Sequence, residues 1–153
     1  MYTFLLPLHS LFRWLVLGSL LCSIFFSYKG LLQKSVFTPM ANNLRHWTAT
    51  IAHIQLLIGM TLYFQSPIIM FGMFETTGGI LSDHNFFRYL HASLMISATV
   101  VITIGSAKAK RQADDQAKYQ TILRWFILGL VIIFIAIPWP FSPLATRPLF
   151  RHF

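Results

Sequence analysis

Four long apolar stretches constrain this chain more than any other feature of its sequence. They cover residues 4–26, 44–64, 86–106 and 122–141. Each is close to the ~20 residues that an α-helix needs to cross a hydrocarbon core about 30 Å thick. We expect helices, because an open β-sheet in lipid would leave backbone groups unpaired. The sequence therefore predicts a single all-α domain over residues 1–153, an integral membrane up-down four-helix bundle.

Composition and charge agree with this class of protein. Of the 153 residues, 56% are hydrophobic and 10% are charged, whereas a soluble domain carries about 25% charged residues. A chain this short has too little interior to hide so much apolar surface from water. The net charge of +8 is concentrated in short basic clusters between the apolar stretches, as in membrane proteins, so we expect no nucleic-acid partner. The first stretch is too long for the apolar core of a signal peptide and contains Arg13, so we expect it to be retained.

The basic residues also predict how the chain is oriented. The connections between spans 1 and 2 and between spans 3 and 4 carry, with their flanks, eight basic residues: Lys29, Lys34, Arg45, Lys108, Lys110, Arg111, Lys118 and Arg124. The opposite side carries three: Arg88, Arg147 and Arg151. Because cytoplasmic loops hold the excess of Lys and Arg, we expect both chain ends on the non-cytoplasmic side of a bacterial inner membrane.

Ionisable side chains inside the apolar stretches are the candidate functional residues. Charges within a span are costly and usually face the interior of the bundle. The candidates are His9 and Arg13 in span 1, His53 with Gln55 nearby in span 2, and Arg88, His91 and Met95 in span 3. Spacings of three, four and seven residues keep side chains on one helical face. We expect His46 to be interfacial, and His84 and His152 to be solvated.

Depth in the membrane pairs two of the histidines. His9 and His91 lie about five or six residues from the outer ends of spans 1 and 3, which at 1.5 Å per residue places both roughly 8–9 Å below the boundary. These spans are diagonal partners in an up-down bundle, so the two imidazoles can face each other through its centre. A bis-histidine b-type haem needs that arrangement. Arg13 and Arg88 flank the same layer, where a guanidinium can bind a propionate carboxylate.

The sequence therefore favours a haem b electron carrier that exchanges electrons with a quinone or with a partner protein in a membrane redox complex. His53 lies roughly 10 Å deeper. It is the alternative axial ligand, or, together with Gln55, a contact for a quinone or a proton. The sequence contains no nucleotide, flavin or iron–sulfur motif, so any role in an oxidoreductase would rely on partner proteins. We also expect the chain to contact the lipid bilayer and further copies of itself.

Two other interpretations stay open at this point. His9, His53 and His91 could together form a copper or zinc site in a carrier or transporter, because neutral imidazoles suit those ions. Alternatively, the chain could be a structural subunit of a membrane complex with no cofactor of its own.

The sequence also resembles a family of small four-span membrane proteins of Bacteroidota-type bacteria that are often labelled cytochrome B. The matching segments extend over nearly the whole chain and are 9–14 (HSLFRW), 53–59 (HIQLLIG), His91 with Met95, 102–105 (ITIG) and 137–140 (IPWP). The label implies a b-type haem. His9, His53 and His91 fall at the histidine positions of that family, which implies that they take part in its binding.

The predicted orientation can be tested with reporter fusions. Alkaline phosphatase fused after Phe153 should be active, because it folds only outside the cytoplasm and the basic connections hold the other side of the bundle inside. The same enzyme inserted at Asp114 should be inactive. The opposite pair of results would reverse the orientation.

Overall fold

The computed structural model describes residues 2–67, 69 and 85–141. In that part of the chain it contains four long helices and no strand. Helix α1 covers Tyr2–Leu32, α2 covers Pro39–Gln65, α3 covers Ala92–Arg111 and α4 covers Asp115–Ala136. A π-helical turn, Phe86–His91, leads directly into α3. The predicted all-α class is confirmed.

All four helices, with the π-helical turn counted as part of the third span, are long and apolar enough to cross a membrane. The side of the membrane on which the chain ends lie stays a prediction. Most of the connection between α2 and the π-helical turn lies outside the described residues, and so do His84, Arg147, Arg151 and His152.

The helices run antiparallel in chain order and close a ring. Helix α1 packs on α2 and α4, and α3 packs on α4 and α2. Each helix contributes one buried side chain to the centre of the bundle. These side chains, none more than 4% exposed, are Leu20, Ala52, Ile102 and Phe126. Helices α1 and α3 are therefore diagonal partners, as the bis-histidine interpretation requires.

Local signals fix where the helices begin and end. The Thr38 hydroxyl accepts a hydrogen bond from the Ala41 amide at the start of α2, and the Asp114 carboxylate accepts one from Ala117 at the start of α4. Helix α4 ends at Ala136 rather than at residue 141, where the fourth span was predicted to end. Pro138 and Pro140 explain the difference, because proline disfavours helix in the residue before it and has no backbone N–H.

Glycines let α3 and α1 approach α4 closely at one end of the bundle. A methyl group on Gly105 would overlap the Cβ of Trp125, and one on Gly30 would lie 2.6 Å from the Tyr119 ring. The Tyr119 hydroxyl donates to the carbonyl of Val36 at 3.1 Å, which ties the first connection to α4.

The same end of the bundle contains a buried arginine, and we call it the Arg45 end. The Arg45 side chain is 5% exposed, although its position at the edge of span 2 predicted a place among the basic residues of the loops. Its guanidinium donates to the carbonyl and hydroxyl oxygens of Ser106 on α3 and to Asn42 Oδ1 on its own helix. One turn further along α2, the hydroxyls of Thr48 and Ser23 are 2.7 Å apart. Arg45 and Thr48 therefore bind α2 to α3 and α1.

Substituting Gly105 with alanine tests the close packing of α3 on α4. We expect the free energy of unfolding in detergent to fall by about 1–3 kcal/mol, the usual cost of overpacking a tight contact. Gly18→Ala is the matched control, because no described residue outside the adjoining turns of its own helix has an atom within 4 Å of the added methyl group. If both variants unfold like the parent protein, α3 and α4 do not pack this closely.

Candidate functional site

Two of the predicted histidines meet at the other end of the bundle. The ring centroids of His9 on α1 and His91 at the start of α3 are 6.4 Å apart, and the ring planes are inclined by 69°. Because α1 and α3 are diagonal partners, the two rings approach each other across the middle of the bundle. We call this end the His9 end.

The backbone around His91 is unusual. His91 is the last residue of the π-helical turn. This conformation is rare in proteins overall, but where it occurs it is often at a functional site. The ring centroids of Phe86 and Phe87 lie 5.9 and 5.8 Å from that of the His91 ring, so both rings pack against it. Nothing in the spacing of the sequence predicts this turn.

A hydrogen bond to the end of α4 fixes the tautomer of His91. Its Nδ1 lies 2.8 Å from the carbonyl oxygen of Ala136. A carbonyl accepts a hydrogen bond only from a protonated nitrogen, so the Nε2 of the neutral ring carries the lone pair. The carbonyl of Ala136 is available because the residue four positions ahead, Pro140, has no N–H to continue the helix.

The environment of His9 is different. Gln55 Nε2 on α2 donates to the backbone carbonyl of His9 at 3.0 Å and lies 3.4 Å from its Nε2. Among the described residues, His9 Nδ1 and Gln55 Oε1 are buried without a hydrogen-bond partner. Gly59 lies beside the ring, and a methyl group there would lie 3.1 Å from His9 Cε1. Gln55 therefore contacts His9 itself.

A cavity of about 200 Å³ adjoins the histidine pair and is lined from all four helices. Its polar lining includes both histidines, Ser10, Arg13, Gln55, Tyr63 and Thr99. The Arg13 guanidinium contacts the Ser10 hydroxyl at 3.4 Å and lies over the Trp14 ring. Met95 contributes a thioether to the same lining. The cavity therefore combines an imidazole pair with a cation and a soft sulfur atom.

The structure does not bring the other predicted site residues to this cavity. The Arg88 guanidinium lies over the Tyr89 ring, 5.3 Å from its centroid, and does not line the cavity. His53 is exposed on the outside of α2, where its ring contacts Thr103 of α3. His46 lies against Trp47. Within the described residues, no group of three His, Cys, Asp or Glu side chains could hold a metal ion, so His53 lies apart from the other two histidines.

Comparisons of the chain with protein-family models, with curated proteins and with solved structures found no match.

The contact between Gln55 and His9 can be tested by mutation. Gln55→Leu should lower the free energy of unfolding by about 1 kcal/mol, because a hydrogen bond between helices is lost. Thr61→Val on the same helix is the control and should cost less, because among the described residues the Thr61 hydroxyl bonds to the Leu57 carbonyl of its own helix and to no other helix. Equal costs in chemical unfolding would show that Gln55 does not link α2 to α1.

Proposed function

We propose that this protein is a b-type haem electron carrier of the bacterial inner membrane, with His9 and His91 as the axial ligands. The observation that carries the proposal is the 6.4 Å between their ring centroids across the bundle. Imidazole nitrogen binds a transition metal such as zinc at about 2.0–2.1 Å. If two imidazoles bind one metal ion from opposite sides at a similar distance, their ring centres therefore lie about 6 Å apart.

The hydrogen bonds of the two histidines fit this role. A metal-ligating histidine usually donates its second ring nitrogen to a carbonyl or carboxylate, which orients the ring. His91 makes such a bond to Ala136. His9 is held by its backbone carbonyl rather than by its ring, and its 3.4 Å contact with Gln55 is long for a hydrogen bond. A metal bound at His9 would therefore displace no short hydrogen bond from its Nε2.

The cavity supports the proposal and adds a requirement. Arg13 supports the proposal because it lines the cavity beside the pair, and a guanidinium can bind a propionate carboxylate. Arg88 lies on Tyr89 instead, so we do not assign it this role. The 200 Å³ of the cavity is less than the about 300–1,000 Å³ of small-molecule sites. The helices that border it must therefore separate for a haem to bind.

The ligand set favours electron transfer. His9 and His91 would both hold the haem iron, so the group when bound would supply one-electron transfer rather than substrate activation. The protein would act as a component of a membrane oxidoreductase, with a quinone or a partner protein as the electron donor or acceptor.

One observation favours a second candidate function. Met95 lines the cavity together with His9 and His91. Thioether and imidazole ligands together suit copper(I). The alternative is therefore a copper carrier with a site of two histidines and one methionine, without His53.

Substitution of the histidines tests the haem proposal. His9→Ala and His91→Ala should each abolish the reduced b-type spectrum of the purified protein, because each removes one of the two ligands. His46→Ala is the control and should retain the full spectrum, since His46 lies on Trp47 away from the cavity. A parent protein with no haem spectrum that instead retains copper, lost on Met95→Leu, would favour the second candidate. Loss of haem on His53→Ala with retention on His9→Ala would place the ligands on α2 and α3.

A further inference from the structure

A polar pair lies on the outer surface of the bundle, where α2 meets α3. It consists of His53 and Thr103, whose Nε2 and Oγ1 atoms are 3.2 Å apart. His53 is exposed and lies near the middle of α2, roughly 20 Å from either end of the helix at 1.5 Å per residue. An ionisable side chain at that depth is costly and usually marks a functional pathway.

Both partners of the pair are held in place. His53 Nδ1 lies 2.7 Å from the carbonyl of Ala49, so the neutral ring carries its lone pair on Nε2. The Thr103 hydroxyl donates to the carbonyl of Thr99 at 2.6 Å. Its single proton cannot serve Thr99 and His53 at once. When the Thr103 proton is in the shorter hydrogen bond, to the Thr99 carbonyl, His53 Nε2 and Thr103 Oγ1 face each other as two acceptors with no proton between them. The O–H group of a ligand would supply that proton.

The pair is close to the cavity of the His9 end. Ala52, the chain neighbour of His53, lines that cavity, and so does Thr99, which accepts the hydrogen bond from Thr103. Thr99 and Thr103 are one helical turn apart, about 6 Å along the axis. Among the described helices that are neighbours in the ring, α2 and α3 pack least extensively. The polar pair is therefore separated from the histidine cavity by about one turn of α3.

We propose that the His53–Thr103 pair binds the head group of a lipid-soluble hydroquinone, whose hydroxyl donates a hydrogen bond to His53 Nε2. Only a ligand dissolved in the bilayer reaches an imidazole at this depth from outside the bundle. The pair also lacks a hydrogen-bond donor, which the hydroxyl of a hydroquinone provides. Exposed apolar side chains flank the pair and can pack against the ring and tail, namely Ile54, Leu57, Val100 and Ile104. That this site would serve a haem at His9 and His91 rests on the proposed function, whereas the binding itself depends only on the α2–α3 surface.

A photoreactive azido-quinone, reduced to the hydroquinone and mixed with the protein in lipid nanodiscs, tests the site. We expect labelled peptides from α2 and α3 around residues 53 and 103. His53→Leu should weaken binding about tenfold, which corresponds to about 1.4 kcal/mol, and Thr103→Val should weaken it in the same direction. His46→Leu is the matched control on α2 and should bind like the parent protein.

If the parent protein is labelled, three outcomes would still overturn the proposal. The first is unchanged labelling in His53→Leu. The second is labelling confined to the lining of the cavity. The third is a disulfide between two copies of a Leu57→Cys variant that the hydroquinone does not prevent, which would show that a second copy of the chain covers the pair.

The dithionite-reduced spectrum of the same samples separates this proposal from the haem proposal. Labelling at His53 that survives in His9→Ala, where haem should be lost, would support the hydroquinone site independently of haem. Haem retained in a parent protein that is not labelled would overturn the hydroquinone site and leave the haem proposal standing.

Discussion

Hydrocarbon offers a polar side chain no hydrogen-bond partner, so a polar group inside a span must bond within the protein or bind something else. Hydroxyls such as those of Thr61, Ser97 and Thr121 bond to the carbonyl four residues earlier in their own helix. The exceptions among the described residues include Arg45 Nε at one end of the bundle and, at the other end, His9 Nδ1 and Gln55 Oε1, whose residues line one cavity. The polar lining of that cavity is therefore only partly satisfied by the protein.

The two ends of the bundle have different physical roles. At the Arg45 end, glycines bring α4 against its neighbours and a buried guanidinium bonds to α3, and the gap beside Arg45 has no space for a water molecule. At the His9 end, Gly59 instead provides space for the ring of His9, and a cavity remains. Functional sites often reduce the stability of the region that contains them. We infer that the tight packing of the Arg45 end compensates for the stability that the cavity costs at the His9 end.

The sequence was sufficient to predict the four helices and the meeting of His9 and His91, because both follow from counting residues along spans of known rise. It could not place Arg88. The expected stripe through Arg88 and His91 assumed an uninterrupted α-helix, but the π-helical turn contains more residues per turn and changes which side chains share a face. The burial of Arg45 was also unpredictable, since its partners on α3 are distant in sequence. Charge patterning alone placed it with the loop residues.

The hydrogen bond between His91 and Ala136 connects the site to a feature that looked structural in the sequence. The two prolines after Ala136 end α4, and the second of them leaves the Ala136 carbonyl without its intrahelical donor. His91 supplies that donor, and in doing so its ring is oriented with the lone pair on Nε2. The end of α4 and the chemistry of His91 are therefore coupled. A change that extended α4 by one turn would give the carbonyl an N–H of its own helix and would remove the constraint on the ring, although neither Ala136 nor Pro140 lines the cavity.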